Sequence, residues 1–287
     1  MKKKQIGVVV IVVAMMVYLI SLPVKGLIRP KEERTRPGAT GGAMQHEEQP
    51  TNRIDEDYVA VAAKKLLTPQ MAAEISDKEA RLKSSASDKE QITIAKDLAH
   101  TWDDLNVPAP AAFYYLSIAR KENTAENWLN AGSRFNDAYK LTQDTVAQPT
   151  FLVNAVESFK KALQLAPDNL EAQTGLGIAD VNGGAPSPMT GIGLLLGVVA
   201  KDPKNLKANL NLGLFSMKSG QFEKAVQRFK TVVEQKPEVE PYFYLAESYK
   251  QLGMKPEAIA AYQKCKEMVV DAAFNQKMDE YIKELKN

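Results

Sequence analysis

The chain has 287 residues, of which 45% are hydrophobic and 25% are charged, and its formal net charge is +2. Residues 1–36 carry a charge of +6, which leaves −4 on residues 37–287 and argues against nucleic-acid binding, since that function needs a basic face on the folded part. The single cysteine, Cys265, excludes an intrachain disulfide framework and a cysteine-based zinc site.

Residues 6–24 form an apolar run without a charged side chain near the start of the chain. A helix of this length extends about 28 Å, close to the thickness of the hydrocarbon layer of a bilayer. Residues 22–25 read Leu-Pro-Val-Lys, which lacks the small residues of a signal-peptidase site. We therefore predict an uncleaved transmembrane anchor within residues 1–28, in preference to a cleavable signal peptide.

Basic residues lie on both sides of this run. Lys2, Lys3 and Lys4 favour a cytoplasmic N-terminus, which would place the rest of the chain on the periplasmic side of a bacterial inner membrane. Lys25 and Arg29 also resist translocation, so the cytoplasmic orientation stays open as the alternative.

Two segments separate the anchor from the main part of the chain. Residues 29–54 are rich in Pro, Gly, Glu, Arg and Thr and contain almost no apolar side chain, so we expect a flexible linker. Residues 55–90 show apolar residues at helical spacing, and Thr68-Pro69 is a helix-start signal. We predict that residues 55–90 form a helical N-terminal cap; a second membrane-binding element is the alternative.

Residues 91–270 repeat a pattern of small and large residues. In one unit Leu212 and Gly213 are followed by Ala225, Phe229 and Pro237. In the next unit residues of the same classes as the first four of these lie 33 positions later: Leu245, Ala246, Ala258 and Tyr262. Small residues let two antiparallel helices approach closely, while large ones fill the space beside them. A repeat of this length is typical of stacked helix pairs, none of which can bury its apolar face alone.

The pattern resembles the tetratricopeptide-repeat (TPR) family, whose signature is W-x-x-L-G-x-x-Y, then A-x-x-x-F, then P. The resemblance implies an all-α solenoid, a right-handed superhelix of four to five helix–turn–helix units, here preceded by the N-terminal transmembrane helix. Upstream, Gly132 and Ala155 are 23 residues apart, whereas Gly213 and Ala225 are 12 apart, so an insertion is expected near residues 141–150. Residues 271–287 are predicted to form a C-terminal capping helix.

In this family the first helices of the units line a concave groove, which implies binding of a partner protein or peptide there. Apolar groove residues would bury the partner's side chains, and asparagines such as Asn130 and Asn211 would bond its backbone. Alignment of the units on their small residues gives these candidate groove positions: Leu129, Asn130, Ser133, Thr174, Ile178, Val181, Lys207, Leu210, Asn211, Leu214, Lys218, Phe243, Glu247 and Lys250.

The predicted function is a membrane-tethered interaction scaffold or adaptor, serving envelope complex assembly or a chaperone-like role. The alternative is a structural, self-associating scaffold, in which neighbouring first helices, residues 55–90 or another copy fill the groove and no separate peptide binds.

The residues give no sign of an enzyme, a cofactor or a metal site. The two histidines, His46 and His100, have no catalytic partners at a recognisable spacing. Lys207 and Asn211 match part of the carboxylate clamp of some TPR proteins, but neighbouring units lack the equivalents. Three glycines, Gly191, Gly193 and Gly197, lie in one second helix, where we interpret them as allowing close backbone packing.

Overall fold

The computed structural model describes residues 54–286, and this part of the chain contains thirteen α-helices and no strand. The predicted all-α class is confirmed. The predicted anchor and, apart from Ile54, the predicted linker lie outside the described residues. The helices are α1 (Glu56–Lys64), α2 (Pro69–Ser84), α3 (Asp88–Asp104), α4 (Pro108–Glu122), α5 (Ala125–Leu141), α6 (Gln148–Leu165), α7 (Leu170–Ala179), α8 (Pro188–Lys201), α9 (Leu206–Lys218), α10 (Phe222–Gln235), α11 (Val239–Gln251), α12 (Lys255–Met268) and α13 (Ala272–Lys286).

Ten of these helices form five successive hairpins: α3–α4, α5–α6, α7–α8, α9–α10 and α11–α12. Gly220 and Gly253 make the turns of the last two hairpins with φ of 72° and 71°, a conformation that glycine adopts without strain. Asn169 and Asn205 cap the first helices of the third and fourth hairpins, because each side chain accepts a 2.9 Å hydrogen bond from a first-turn backbone N–H.

The small residues of the repeat pattern lie under aromatic rings. A Cβ added to Gly132 on α5 would lie 2.9 Å from the Phe159 ring on α6, and one added to Gly213 on α9 would lie 2.6 Å from the Phe229 ring on α10. Both rings are fully buried. The predicted packing of small residues against large ones is therefore confirmed in these two hairpins.

The helices at the two ends lie beside the hairpins. Ile75 of α2 is buried with Leu98 and Trp102 of α3, and α1 packs on α4. The Tyr58 hydroxyl of α1 donates a 2.7 Å hydrogen bond to Asp144, in the segment that joins α5 to α6. At the other end, Met278, Ile282 and Leu285 of α13 are buried against the last hairpin; the remaining domain boundaries stay predictions.

The third hairpin differs from the others at its turn. After α7 the chain continues into a π-helical turn, Asp180–Gly184, in which Gly183 has a φ of 122°. Ser187 then caps α8 by accepting a hydrogen bond from the Met189 N–H. Because of these extra residues, the two helices of the third hairpin are separated by a longer connection than those of the fourth hairpin.

Our interpretation of the α8 glycines was right for one and wrong for two. Gly191 packs directly on the backbone of Gly177 on α7. A Cβ added to Gly193 or Gly197 would meet nothing within 4 Å among residues 54–286, because both positions point away from α7. Close packing inside the domain therefore accounts for Gly191 alone.

Within residues 54–286, none of the helices combines the length and the apolar content that crossing a bilayer would require.

Candidate functional site

The stack of hairpins curves toward its first helices. Successive first helices α5, α7, α9 and α11 contact one another, whereas over residues 54–286 the second helices α6, α8, α10 and α12 make no comparable contact. Lys140 at the end of α5 approaches Glu240 at the start of α11, with 3.6 Å between Nζ and Oε1, although two hairpins lie between them. The first helices therefore line the concave side, and its curvature is strong.

Two first helices, α5 and α9, present predicted groove residues at the surface. Both lysines of α9, Lys207 and Lys218, are exposed. Asn211 donates a 2.8 Å hydrogen bond from Nδ2 to the Lys207 carbonyl, which holds the side chain along its own helix. The other predicted members are half-buried: Leu129, Asn130 and Ser133 on α5, and Leu210, Asn211 and Leu214 on α9.

The predicted positions on α7 need correction. Thr174 is 1% exposed and donates a 2.7 Å hydrogen bond to the Leu170 carbonyl, and Ile178 is 9% exposed within the core cluster of α7, α8 and α9. Both are covered because α7 is short and lies between α5 and α9, both of which contact it. Of the three predicted residues only Val181, which is half-buried, remains near the surface.

The predicted positions on α11 are occupied by contacts with α12 and α13. The ring of Phe243 lies 6.2 Å from that of Tyr281. Lys250 forms a 3.3 Å ion pair with Glu284 and lies 5.2 Å from the centre of the Tyr281 ring. The carboxylate of the third predicted residue, Glu247, accepts a hydrogen bond from the Tyr262 hydroxyl of α12. At this end α13 takes the place that a further first helix would have.

The first two helices do not fill the groove. They pack on α3, α4 and the segment between α5 and α6, whereas Leu210, Leu214 and Phe243 pack against the core cluster formed by α10 to α13. The sequence left open that residues 55–90 cover these three residues; within residues 54–286 that arrangement is not observed.

A polar cavity that the sequence did not indicate lies at one end of α5. It has a volume of about 330 Å³, and Asp103, Arg134, Asp137 and Lys140 line it. Arg134 forms an ion pair with Asp103: Nη2 donates a 3.0 Å hydrogen bond to Oδ2, and Nε lies 2.7 Å from Oδ1, which holds the guanidinium in the wall. Only the charged residues on successive turns of α5 could have suggested this cavity, and charged runs are usually solvated surface.

The described residues offer little for chemistry. Within residues 54–286, no three or more His, Cys, Asp or Glu side chains are arranged to hold a metal ion. The ring of His100 lies edge-on to Tyr115, with 6.3 Å between centroids. Cys265 is fully buried, and burial raises the pKa of its thiol to about 11, which keeps the sulfur protonated and unreactive at neutral pH.

Comparison with protein-family models assigns the repeats. Residues 206–239, which cover the fourth hairpin, match a model of the tetratricopeptide repeat, and residues 242–268 of the fifth hairpin match a second model of the same repeat. The last two hairpins are therefore tetratricopeptide (TPR) repeats. TPR repeats indicate a protein–protein interaction scaffold, a fold that is typically not enzymatic.

Solved structures of MamA are similar to this chain. A crystal structure of MamA protein is 22% identical over 67% of this chain and 96% of that chain, with a TM-score of 0.45. MamA 41-end from Desulfovibrio magneticus RS-1 is 22% identical over 64% of this chain and 97% of that chain, with a TM-score of 0.46. A comparison with curated proteins found no match.

The TPR register also shows why the carboxylate clamp is incomplete. The positions equivalent to Asn211 in the neighbouring units are Gly175 and Tyr244. Gly175 lies against the Phe159 ring, and Tyr244 stacks on Phe229 with 5.6 Å between centroids. Both positions are used for packing between repeats, so Lys207 and Asn211 have no counterparts with which to hold a carboxylate.

Proposed function

We propose that this TPR domain binds an extended or helical segment of a partner protein on its concave side, chiefly on α5 and α9. The observation that carries the proposal is the inner face of α9. Leu210 and Leu214 are half-buried there, and the exposed lysines Lys207 and Lys218 lie one turn beyond them at either end. An apolar strip with cationic ends suits a segment whose apolar residues are flanked by acidic ones.

Polar side chains on the same helices can satisfy a bound backbone. Asn130 and Ser133 on α5 are half-buried beside Leu129. An extended segment that loses water must find partners for its N–H and C=O groups, and amide and hydroxyl side chains supply both donors and acceptors. The Nδ2 of Asn211 already has a bond, which leaves its carbonyl oxygen for an incoming N–H.

Access to the groove requires little energy. The Lys140–Glu240 ion pair crosses the concave side, and both side chains are about half exposed or more. Exposed ion pairs contribute at most about 1 kcal/mol, so a partner can separate the two residues at low cost. The freed Glu240 carboxylate and Lys140 amine would then be available to the partner.

One observation favours the alternative of a self-filled groove. At the C-terminal end α13 covers Phe243 and Lys250, so the chain supplies the occupant of that region itself. Partner binding on α5 and α9 and self-filling on α11 are compatible, because they concern different first helices. A purely structural scaffold would need the α9 strip to be covered as well.

The groove is tested by site-specific photo-crosslinking in the full chain, carried out in native membranes. A photoreactive residue replaces Lys207 or Lys218 on the inner face, and Lys230, which is exposed on the outer helix α10, is the matched control. We expect Lys207 and Lys218 to capture the same protein and Lys230 not to capture it. Leu214→Glu should abolish that capture while leaving the far-UV circular dichroism unchanged.

Equal capture from Lys230, or capture that survives Leu214→Glu, would show that the partner does not lie on the concave side. If Leu214→Glu lowers helicity, Asn211→Ala replaces it, since Asn211 is only half-buried and its loss removes one hydrogen bond.

We further propose that residues 6–24 hold the domain at a bacterial inner membrane with the repeats on the periplasmic side, for envelope complex assembly or a chaperone-like role. The uncharged run and the basic residues before it support this proposal. Alkaline phosphatase fused after Asn287 should be active, because it folds only in an oxidising compartment. If the phosphatase is inactive and a cytoplasmic reporter fused at the same site is fluorescent, the repeats lie on the cytoplasmic side and the proposed orientation is wrong.

A further inference from the structure

A buried tyrosine hydroxyl lies between two carboxyl groups where α1 packs on α4. The Tyr114 side chain of α4 is fully buried, and its hydroxyl donates a 3.2 Å hydrogen bond to Oε1 of Glu79 on α2. Glu56, in the first turn of α1, lies within hydrogen-bonding distance of the same hydroxyl. A tyrosine hydroxyl has one hydrogen, so it cannot donate fully to two carboxylates at once. The arrangement is satisfied only if one of the two carboxyl groups has a proton of its own.

The lysines nearest to Glu56 are bound to other acids. The charged groups around it on α1 and α2 are Asp55, Asp57, Lys64, Glu79 and Lys83. Lys64 forms a 2.5 Å ion pair with Glu79, and Lys83 forms a 2.7 Å ion pair with Asp57. Lys83 also attracts Glu56, but burial and the two neighbouring carboxylates outweigh this attraction and raise the pKa of Glu56 to about 7.

The elements on the other side of α1 do not supply the missing charge. Arg120 and Lys121 of α4 border the same cavity as Glu56, but both side chains are exposed, and Lys121 is paired with an acid of α3. Asp144, on the segment that joins α5 to α6, accepts a 2.7 Å hydrogen bond from Tyr58. Among residues 54–286, therefore, no cation forms a direct ion pair with Glu56.

The remaining contacts of α1 are small. The side chains that it buries within the helix are those of Val59, Ala60 and Ala63. A helix of nine residues is too short to be stable without packing. Leu116 of α4 and Phe151 of α6 belong to the same core cluster as Val59. If α1 left its place, these apolar side chains would become more accessible to water.

We propose that α1 is a pH-operated latch. While Glu56 keeps its proton, its carboxyl donates to the Tyr114 oxygen, the Tyr114 hydroxyl donates to Glu79, and α1 lies on α4. Loss of that proton leaves two carboxylates to compete for one hydroxyl hydrogen, so α1 leaves α4. The helix α2 stays in place, because Ile75 is buried against α3. The released form uncovers apolar surface between the first and second hairpins.

The latch is closed at low pH and opens as the pH rises. With α1 in place the pKa of Glu56 is about 7, whereas in the released helix the carboxyl returns toward its ordinary value of 4.5. The closed form therefore binds more protons than the open form between these values, and closure weakens as the pH rises through this interval. Allowing for partial solvent exposure, we expect the opening equilibrium constant to be at least about tenfold larger at pH 8 than at pH 5.

The latch is tested by hydrogen exchange of the full chain in a mild detergent, followed by mass spectrometry at pH 5 and pH 8 and corrected for intrinsic exchange rates. Peptides from α1 should lose at least about tenfold in protection at pH 8, whereas peptides from α3 should not change. Glu56→Gln, which has no charge to lose, should keep α1 protected at pH 8. Glu74→Gln, on an exposed position of α2, is the matched control and should behave as the wild type.

Three results would overturn the proposal: equal protection of α1 at both pH values in the wild type, an equal loss in Glu56→Gln, and a loss in α1 that α3 shares. The last would mean that the N-terminal helices unfold together. Leu214→Glu lies in the groove and should leave the exchange of α1 unchanged. Groove binding and the latch can therefore fail independently of each other.

A further variant tests the shared hydroxyl. Glu79→Gln removes the competing carboxylate, so the Tyr114 hydroxyl can donate to an ionised Glu56. The variant also breaks the ion pair with Lys64, which loosens α1 at both pH values, so the ratio of protection between pH 5 and pH 8 is the quantity to compare. This ratio should be smaller than in the wild type. An undiminished ratio would show that competition for the hydroxyl does not operate the latch.

Discussion

Replacing Phe159 with alanine is expected to lower the free energy of unfolding by about 3–5 kcal/mol, the range for removing a fully buried ring. The effect should be at the upper end because the ring contacts two hairpins. It lies against Gly132 of its own hairpin and against Gly175 of the next one, and it is fully buried. Urea unfolding followed by far-UV circular dichroism measures the change.

Two further variants show whether the ring couples the hairpins. Gly175→Ala should destabilise the wild-type chain, because its Cβ would overlap the Phe159 ring. The same substitution should lower the free energy of unfolding by less when Phe159→Leu is also present, because the smaller side chain leaves room for the added Cβ. Val153→Ala, on an exposed position of the same helix, should change stability by less than about 0.5 kcal/mol. A loss below about 1 kcal/mol for Phe159→Ala would mean that the hairpins are held together elsewhere.

The packing inside each hairpin could be predicted from the sequence because it depends on local spacing. The 3.6-residue period decides which residues share a helix face, and a glycine or alanine opposite a phenylalanine then fixes how two adjacent helices meet. Gly132, Gly213 and their rings follow this rule. The resemblance to the TPR family, with the units aligned on their small residues, implied that Leu129, Leu210 and Leu214 lie on the inner face, and all three are at least partly accessible.

The curvature of the stack could not be predicted in this way. It accumulates from small rotations between successive hairpins, and these depend on helix lengths and packing angles that no local pattern records. The approach of Lys140 to Glu240 and the burial of Thr174 and Ile178 follow from that curvature and from the shortness of α7.

Glu56, at the start of α1, has an unusual environment for a carboxylate. Its pKa is raised to about 7, mainly because burial against α4 disfavours the charged form, and Asp57 and Glu79 add negative charge nearby. A hydrogen bond from Tyr114 and the positive charge of Lys83 act in the opposite direction but do not compensate. The folded chain therefore holds a proton on Glu56 at pH values where the unfolded chain has lost it.

The stability of the N-terminal helices should therefore fall as the pH rises from about 4.5 to about 7. In that interval the folded state binds more protons than the unfolded state, so the free energy of unfolding decreases with pH. Above about pH 7 Glu56 is ionised in the folded chain as well, so the full cost of burying its charge lowers the free energy of unfolding. Glu56→Gln removes the charge, and at pH 8 it should stabilise the chain by about 2 kcal/mol, a figure reduced for the residual solvent exposure.

The pH dependence is measured by urea unfolding at pH 4, 6 and 8, followed by tryptophan fluorescence. The two tryptophans, Trp102 and Trp128, lie in the N-terminal half of the repeat domain and are buried, so the signal reports this region. Glu74→Gln, on an exposed position of α2, is the matched control and should have little effect at any pH. A benefit of Glu56→Gln that is the same at pH 4 and pH 8 would mean that the amide improves packing, and that ionisation of Glu56 does not limit the stability of the cap.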